Sequence, residues 1–397
     1  MPIFFVHLVT EMRCMRQGSV LSIGFATLFM PAASGVRAQA AAAFRLSAAP
    51  TLAVGSEDKG PAYQLDRVYG AMRLPDGSIA VGNSATGELR LFDNSGRFLV
   101  SASRSGGGPG EFDAGEAIFP RVFGKTLLAG DPNHARVNRY QFSGKVLPQI
   151  VLVSSPPAVR SFLEAAVGAQ LLARVTASPI LQGAPGQRIV TRYRYGLYDS
   201  TGRQRSVLFE LPTQERIVHA WQGSLRFPFL PFSPEPIVAA SADKVYLIRS
   251  GAPEVEVWSP AAERIGTLTW KAQRMRVRDI WARWRQAELA GITKPNDRMR
   301  YEDFLSNSLP LPEYVPVAEA MQVDPAGRLW IVRRGMPWER SRLCDVLDSA
   351  GHFLGSVTLP PNFTLFQVGL DFILGRARDE NDVEQVQLYR LTRADLK

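Results

Sequence analysis

Residue types suited to catalysis or metal binding are few in this sequence. Beyond the N-terminal segment there are three histidines, His134, His219 and His352, in separate parts of the chain. No spacing among them resembles a metal site. No Gly-x-Ser-x-Gly motif, which presents a nucleophilic serine in hydrolases, occurs. We therefore predict no catalytic residue, no metal site and no cofactor.

A glycine-rich run at residues 106–110 has the composition of a phosphate-binding loop. It lacks the Lys-Ser/Thr pair and the following helix that a P-loop requires. Because glycine allows close approach of backbone to backbone, we interpret this run as a linker between two structural repeats.

Three aspartates, Asp93, Asp199 and Asp348, each lie just before a turn glycine. Carboxylates at such positions accept hydrogen bonds from the backbone N–H groups of the turn. A calcium site would need clustered oxygen ligands, which this spacing does not provide. We interpret the three residues as turn caps.

One unit recurs along the chain roughly every forty residues, a period typical of propellers and solenoids. It consists of a β-rich run, a loop, a second run ending in an aromatic residue, a polar turn with glycine, and a third run. The six copies lie around residues 75–99, 127–147, 195–202, 244–258, 324–354 and 370–389. A small antiparallel sheet cannot bury both faces alone, whereas radial stacking of six sheets buries them.

The spacing within the repeat is conserved in three of the copies. Asn83, Asp131 and Arg249 each precede an aliphatic residue by six positions and an aromatic residue by nine. The sequence therefore predicts an all-β fold, a six-bladed β-propeller, whose weakest copy is the third. We expect the apolar run at 44–54 to pair with the last sheet and close the ring.

Two segments carry a resemblance to a known family. Residues 131–144, with Asp131, Arg136 and Tyr140, resemble an NHL-type blade. Residues 104–112 (RSGGGPGEF) are similar to a linker of the bacterial 6-bladed β-propeller family, which is NHL- or TolB-like. The resemblance covers about residues 44–395 and implies a propeller, but little about its ligand.

Residues 1–40 are predicted to be a signal peptide. Arg13 and Arg16 form a basic region, residues 20–30 are apolar, and Ala-Gln-Ala at 38–40 is a small-x-small cleavage signature. The apolar stretch is much shorter than the roughly 20 residues of a membrane-spanning helix. We expect cleavage after Ala40, export to the periplasm or medium, and a mature propeller domain over 41–397.

An insertion at residues 271–312, between blades 4 and 5, breaks the β pattern. Its apolar residues fall near helical spacing, with a first helix ended by Gly291 and Pro295 and a second short helix over 297–305. Its basic residues are Arg274, Arg276, Arg278, Arg283 and Arg285. One interpretation is a basic, aromatic element for a membrane surface or nucleic acid. The interpretation we favour is a helix capping one propeller face, with tryptophan inward and arginine in solvent.

The net charge of +9 comes from dispersed Lys and Arg, and is typical of an exported protein or of one with an anionic ligand. Cleavage of residues 1–40 removes Cys14 and leaves Cys344 alone, so no intramolecular disulfide is expected. We predict a monomeric, non-enzymatic propeller that binds an unidentified ligand or envelope protein on one face. We predict neither nucleic-acid binding nor stable membrane insertion after cleavage.

Two alternatives stay open on the sequence. The first is a metal-dependent hydrolase or lyase of the sugar- or lactone-acting propeller type. The second is a scaffold whose insertion at 271–312 docks another envelope protein.

Overall fold

The structure is a computed structural model of the chain. It describes residues 44–155, 160–176, 181–249, 251–379 and 381–393. The predicted signal peptide over 1–40, with its cleavage site, lies outside these residues.

The described chain consists mainly of short strands. The first ten are β1 (Phe44–Leu46), β2 (Leu52–Val54), β3 (Val68–Arg73), β4 (Ile79–Asn83), β5 (Glu88–Phe92), β6 (Phe98–Ser101), β7 (Pro120–Phe123), β8 (Thr126–Asp131), β9 (Arg136–Tyr140) and β10 (Val146–Val151). The next twelve are β11 (Arg160–Val167), β12 (Gln170–Thr176), β13 (Arg188–Ile189), β14 (Arg192–Tyr198), β15 (Gln204–Pro212), β16 (Arg216–Ile217), β17 (His219–Trp221), β18 (Ser224–Arg226), β19 (Ile237–Ala240), β20 (Val245–Ile248), β21 (Glu254–Trp258) and β22 (Arg264–Thr269). The last seven are β23 (Ala318–Val323), β24 (Leu329–Arg333), β25 (Leu343–Leu347), β26 (Phe353–Thr358), β27 (Thr364–Val368), β28 (Phe372–Arg378) and β29 (Glu384–Arg393).

The helical elements are a 3-10 turn at Pro61–Tyr63 and two α-helices, α1 (Val277–Gly291) and α2 (Pro295–Ser306). Both α-helices follow β22 and precede β23.

The long strands form six antiparallel sheets in chain order. They are sheet 1 (β3–β6), sheet 2 (β7–β10), sheet 3 (β11, β12, β14 and β15), sheet 4 (β19–β22), sheet 5 (β23–β26) and sheet 6 (β27–β29 with β1 and β2). Two further strand pairs are β13 with β16 and β17 with β18. In the sequence, β13 lies between β12 and β14, and β16 to β18 follow β15.

The hydrophobic core is divided among the spaces between neighbouring sheets. Leu91 and Tyr140 belong to the cluster shared by sheets 1 and 2, and Trp330 and Tyr389 to the one shared by sheets 5 and 6. Four more clusters join sheets 2 and 3, 3 and 4, 4 and 5, and 6 and 1. The first strands of successive sheets contact one another in a closed ring. The chain is therefore a six-bladed β-propeller whose first strands surround the axis.

The ring is closed by the N-terminal strands, as the apolar run at 44–54 predicts. β1 pairs with β29 through Phe44 and Arg393, and β2 pairs with the same strand through Leu52 and Leu388. The two ends of the domain therefore pair within sheet 6, and this pairing closes the ring.

The aspartates that precede turn glycines cap hairpins, as predicted. Asp93 Oδ1 accepts hydrogen bonds from the backbone N–H groups of Ser95 and Arg97, both at 2.9 Å. Asp199 and Asp348 accept equivalent bonds in their own turns. Gly96 adopts a φ of 82° at the position where a side chain would be strained.

The helical part of the predicted insertion is shorter than the range 271–312. α1 ends at Gly291, as expected, but Pro295 begins α2 and does not merely terminate α1. Proline is well tolerated in the first turn of a helix because that N–H has no intrahelical partner. Trp284 is buried, and it packs in one apolar cluster with Phe232 and Phe304.

Sheet 3 corresponds to the weakest repeat, yet it has four complete strands of seven to nine residues. Its second and third strands are joined through residues 177–191, whereas residues 84–87 suffice in sheet 1. In three other blades an aliphatic and an aromatic residue follow the second strand at offsets of six and nine positions. The longer connection removes this spacing from sheet 3, so the repeat is hard to recognise there.

Candidate functional site

A cavity of about 240 Å³ opens where the first strands of sheets 1, 2 and 3 begin. Its lining combines aromatic rings, arginines, glutamates and small polar side chains. The lining residues are Tyr69, Gly115, Glu116, Ala117, Phe119, Arg160, Phe162, Arg174, Thr176, Leu181, Thr191, Tyr193, Thr213, Gln214, Arg216, Phe229 and Glu235. We refer to this cavity as the sheet-3 pocket.

Strand periodicity explains why sheet 3 supplies so much of the lining. Arg160 and Phe162 are two residues apart on β11, so their side chains share one face of the sheet. Phe162 is paired with Arg174 on β12 and Arg160 with Thr176. Tyr193, near the start of β14, completes a patch of alternating arginine and aromatic residues.

Arg174 lies at the centre of this patch. Its guanidinium carbon lies 4.5 Å from the centre of the Phe162 ring and 4.6 Å from that of Tyr193. Its Nε is 2.5 Å from Oε1 of Glu164. Burial by itself disfavours the charge, but the Glu164 carboxylate more than offsets this, so the pKa of Arg174 is raised. The guanidinium is therefore held in place as a permanent cation.

Arg160 links sheet 3 to the segment that precedes β7, the first strand of sheet 2. Its Nη2 is 2.6 Å from Oε2 of Glu116, and both side chains are about one-fifth exposed. Its guanidinium carbon also lies 5.1 Å from the centre of the Phe162 ring. Glu116, a pocket residue, is thus engaged in an ion pair.

Another part of the pocket wall comes from residues after sheet 3. Arg216 in β16 places its guanidinium carbon 3.6 Å from the centre of the Phe229 ring, and its Nη1 donates to the Phe227 carbonyl at 2.7 Å. Desolvation lowers the pKa of Arg216. The hydroxyls of Thr191 and Thr213 lie 2.5 Å apart in the same wall.

The helices support this wall from behind. Ile217, the neighbour of Arg216, is buried in one cluster with Trp284 and Phe304. The rings of Phe232 and Trp284 lie 4.8 Å apart. The segment that carries Arg216 is therefore packed between the pocket and the two helices.

The three histidines predicted not to form a metal site lie apart, each beside its own aspartate. His134 is 3.0 Å from Asp131 and His352 is 2.9 Å from Asp348. His219 is buried, and its Nε2 lies 3.2 Å from Oδ2 of a residue in α2, Asp303. The part of the chain that the structure describes contains no group of three or more His, Cys, Asp or Glu residues placed to hold a metal ion.

The glycine-rich run at 106–110 connects β6 to β7 and lies against β9. The Gly110 amide donates to Asn138 Oδ1 at 3.2 Å, and the Tyr140 hydroxyl donates to the Gly110 carbonyl at 3.0 Å. Glu111 Oε2 accepts the Gly108 amide at 2.8 Å. These contacts are those of a linker between blades.

None of the pocket residues was predicted from the sequence as a functional residue. A signal was present at 192–195, where arginine and tyrosine alternate in an Arg-Tyr-Arg-Tyr run within β14. The other lining residues come from six further segments, so their proximity depends on the ring geometry.

Known proteins resemble this chain only distantly. No family model matches the chain, and no curated protein matches it. Among solved structures, a DUF4221 family member from Bacteroides vulgatus shares 11% identity, with a TM-score of 0.49, over 88% of this chain and 99% of its own. Virginiamycin B lyase from Staphylococcus aureus shares 11% identity, with a TM-score of 0.43, over 88% of this chain and all of its own.

A gluconolactonase from Xanthomonas campestris shares 11% identity, with a TM-score of 0.42, over 83% of this chain and 87% of its own. In the described part of the chain, neither helix has the length and apolar character needed to span a membrane.

Proposed function

We propose that this protein is an exported, non-enzymatic β-propeller of the NHL type that acts as a monomer and binds a small ligand in the sheet-3 pocket. The observation that carries the proposal is the pocket itself, where three guanidinium groups and five aromatic rings meet beside the axis. Ligand sites in proteins are concave, largely apolar and aromatic, with a few convergent polar groups. The sheet-3 pocket has this character.

The chemistry of the lining favours binding over covalent catalysis. The described residues that line the pocket include no histidine, cysteine or serine, the side chains most used as bases and nucleophiles. Glu116 is held by Arg160. These groups fix and orient a bound molecule, and none is placed as a nucleophile beside a base.

Export and the role of the insertion form part of the proposal. Residues 1–40 have the basic, apolar and small-residue regions of a signal peptide. We place the insertion 271–312 between the fourth and fifth blades, where it backs the pocket wall and offers a surface for an envelope protein. N-terminal sequencing of exported protein should begin at Ala41, and a start before residue 30 would contradict the export proposal.

Calorimetric titration with single-ring compounds tests the binding function. The purified protein is titrated with glucose, glucuronate and benzoate, and each compound is then recovered and analysed. We expect at least one to bind and to be recovered unchanged, and the Tyr193→Ala variant to lose most of that binding. The matched control is Tyr389→Ala, because Tyr389 lies in sheet 6, outside the pocket.

Two results would contradict the proposal. Absence of binding by all three compounds, or equal binding by the Tyr193→Ala variant, would remove the pocket as the site. A compound recovered as product, together with stoichiometric metal in the purified protein, would support the metal-dependent hydrolase or lyase instead.

A further inference from the structure

The size of the sheet-3 pocket limits its occupant. Its volume of about 240 Å³ exceeds the roughly 150 Å³ of an apolar cavity that holds one benzene molecule. It lies below the roughly 300–1,000 Å³ of pockets for drug-sized ligands. One ring with a small substituent therefore suits this volume, whereas an extended peptide or an oligosaccharide does not fit inside it.

The charged side chains of the pocket are balanced among themselves. Three arginines and three glutamates lie in the lining or are ion-paired with it. They are Arg160, Arg174, Arg216, Glu116, Glu164 and Glu235. Glu116 pairs with Arg160 at 2.6 Å, and Glu164 pairs with Arg174 at 2.5 Å. The formal charges of this set cancel, so the pocket has no excess charge for a ligand to neutralise.

The balance also holds around individual groups. Burial disfavours the charged form of Arg174, but the carboxylates of Glu164 and Glu235 favour it, and the pKa of Arg174 is raised. Arg216 donates to the Phe227 carbonyl and lies against the Phe229 ring. A charged ligand would therefore meet groups of opposite charge that are already engaged. Because burying a charge without a partner is costly, the pocket disfavours a charge of either sign.

Aromatic rings supply apolar surface in the lining from several directions. They are Phe162 and Tyr193 of sheet 3, Tyr69 of sheet 1, Phe119 just before β7, and Phe229. Aromatic side chains prefer offset-stacked or edge-to-face contacts with other rings, and such contacts add to the free energy gained by burial. A flat ring that enters the pocket can make these contacts with more than one side chain.

The polar groups of the lining suit a ligand with few hydrogen-bonding groups. The hydroxyls of Thr191 and Thr213 lie 2.5 Å apart and bond to each other, and Thr213 also donates to the Gln214 carbonyl at 3.2 Å. The Thr176 hydroxyl and the Gln214 amide are the donors and acceptors suited to one neutral polar substituent. A sugar would bury more hydroxyl groups than these side chains can pair, which is costly.

We infer that the ligand of the sheet-3 pocket is a small, uncharged compound built on one flat aromatic ring with a neutral polar substituent. The inference rests on the proposed function, since it names the ligand class of the same pocket. The aromatic side chains bind the ring by apolar burial and stacking. The balanced charges select against acids and bases that carry the same ring.

Three compounds of nearly the same shape test the effect of ligand charge. At neutral pH benzamide is uncharged, benzoate is an anion and benzamidine is a cation, and each carries a planar substituent on a benzene ring. In calorimetric titrations of the purified protein, we expect benzamide to bind at least about tenfold more tightly than either charged compound, because a buried charge without a partner costs several kcal/mol. Glucose, uncharged but rich in hydroxyls, should also bind at least about tenfold more weakly than benzamide.

Removal of one carboxylate should change the charge preference. Glu116→Gln leaves the pocket with one positive charge in excess, so the ratio of benzoate affinity to benzamide affinity should rise at least about fivefold. The matched control is Glu319→Gln, because Glu319 is ion-paired with Arg342 and is similarly exposed, but lies in sheet 5 outside the lining. The control should leave the ratio unchanged.

Circular dichroism and thermal unfolding show whether each variant is folded. Glu235→Gln makes the same change of charge in the lining, and it replaces Glu116→Gln if that variant does not fold.

The outcomes separate the inference from the proposed function. Benzoate or benzamidine binding as tightly as benzamide, glucose binding as tightly as benzamide, or an unchanged ratio in the folded Glu116→Gln protein would overturn the uncharged-ring inference and leave ligand binding intact. Failure of every compound to bind, or equal benzamide binding by the Tyr193→Ala variant, would overturn the proposed function itself.

Discussion

Two regions of the molecule combine arginines with aromatic rings, and they use them differently. In the sheet-3 pocket, half-buried Arg174 lies between two rings and is paired with Glu164. In the helical segment, exposed Arg274 and Arg283 lie on the outer faces of single rings, at 3.7 and 4.0 Å from their centres. The same residue types thus line a cavity in one place and lie on an exposed surface in the other. A candidate site is therefore recognised by a concave surface and by carboxylate partners for its arginines, more than by the number of arginines.

The largest effect is expected where the helical segment supports the pocket. The Trp284→Ala substitution should lower the free energy of unfolding by about 3–5 kcal/mol, because it removes a buried aromatic side chain and leaves a cavity. It should also weaken ligand binding in the sheet-3 pocket, since Ile217, the neighbour of Arg216, packs in the same cluster. Urea unfolding and calorimetry measure the two effects.

Trp281→Ala is the control, because Trp281 is only partly buried while stacking on Trp284. It should cost clearly less stability. Equal costs for the two variants would show that the helices are not anchored through Trp284.

Two arginine substitutions directly compare the sheet-3 pocket with the helical segment. Arg174→Met should lower the free energy of unfolding by about 2 kcal/mol, because it removes a charged hydrogen-bonding partner from Glu164. Arg274→Met removes an exposed contact with the Tyr314 ring and should cost less than about 1 kcal/mol. Chemical denaturation of both variants measures the difference, and a larger cost at Arg274 would reverse the comparison.

The five arginines of the helical segment, four exposed and Arg285 partly buried, should have little effect on binding to membranes. Replacing Arg274, Arg276, Arg278, Arg283 and Arg285 with glutamine should change association with anionic lipid vesicles by less than about twofold, because exposed charges are screened at physiological salt. Vesicle sedimentation at physiological and low salt measures this. A loss of strong vesicle binding in the variant would favour the membrane-surface interpretation.

The smallest effect concerns acid stability, and it arises outside both regions. Hydrogen bonds from Ser95 hold the pKa of Asp93 at about 2, and those from Thr201 hold the pKa of Asp199 at about 2. Both values lie below the roughly 3.9 of an unfolded chain. Their contribution to stability is therefore complete above about pH 4 and is lost as the pH falls towards 2.

Urea unfolding between pH 5 and pH 2 measures this dependence, and the Asp93→Asn and Asp199→Asn double variant should show a shallower decline than the unmodified protein. An identical decline in the two proteins would show that other carboxylates account for it.

Much of the fold could be predicted from local chemistry. Turn aspartates such as Asp93 and Asp348, followed by glycine, specify hairpins through bonds to nearby backbone, so the sequence carries this information within a few residues. The apolar run that contains β1 and β2 was expected to close the ring because it lies before the first repeat and can pair with the last sheet. Each of these inferences concerns neighbours along the chain or a repeated pattern.

The pocket could not be predicted in the same way. Tyr69, Phe162 and Phe229 come from segments far apart in the chain, and only the ring of first strands brings them together. The long connection after β12 also hid sheet 3, the blade that contributes the largest share of the lining. The conspicuous arginines of 271–312 lie elsewhere, and Arg274 and Arg283 stack there on partly buried rings.

A crystal structure of the protein, grown with whichever of glucose, glucuronate and benzoate binds in the titration, tests the central claim most directly. We expect one molecule of that compound in the sheet-3 pocket, with its ring against Phe162 or Tyr193. The compound bound at another surface, or an unoccupied pocket in crystals that contain it at saturating concentration, would contradict the claim.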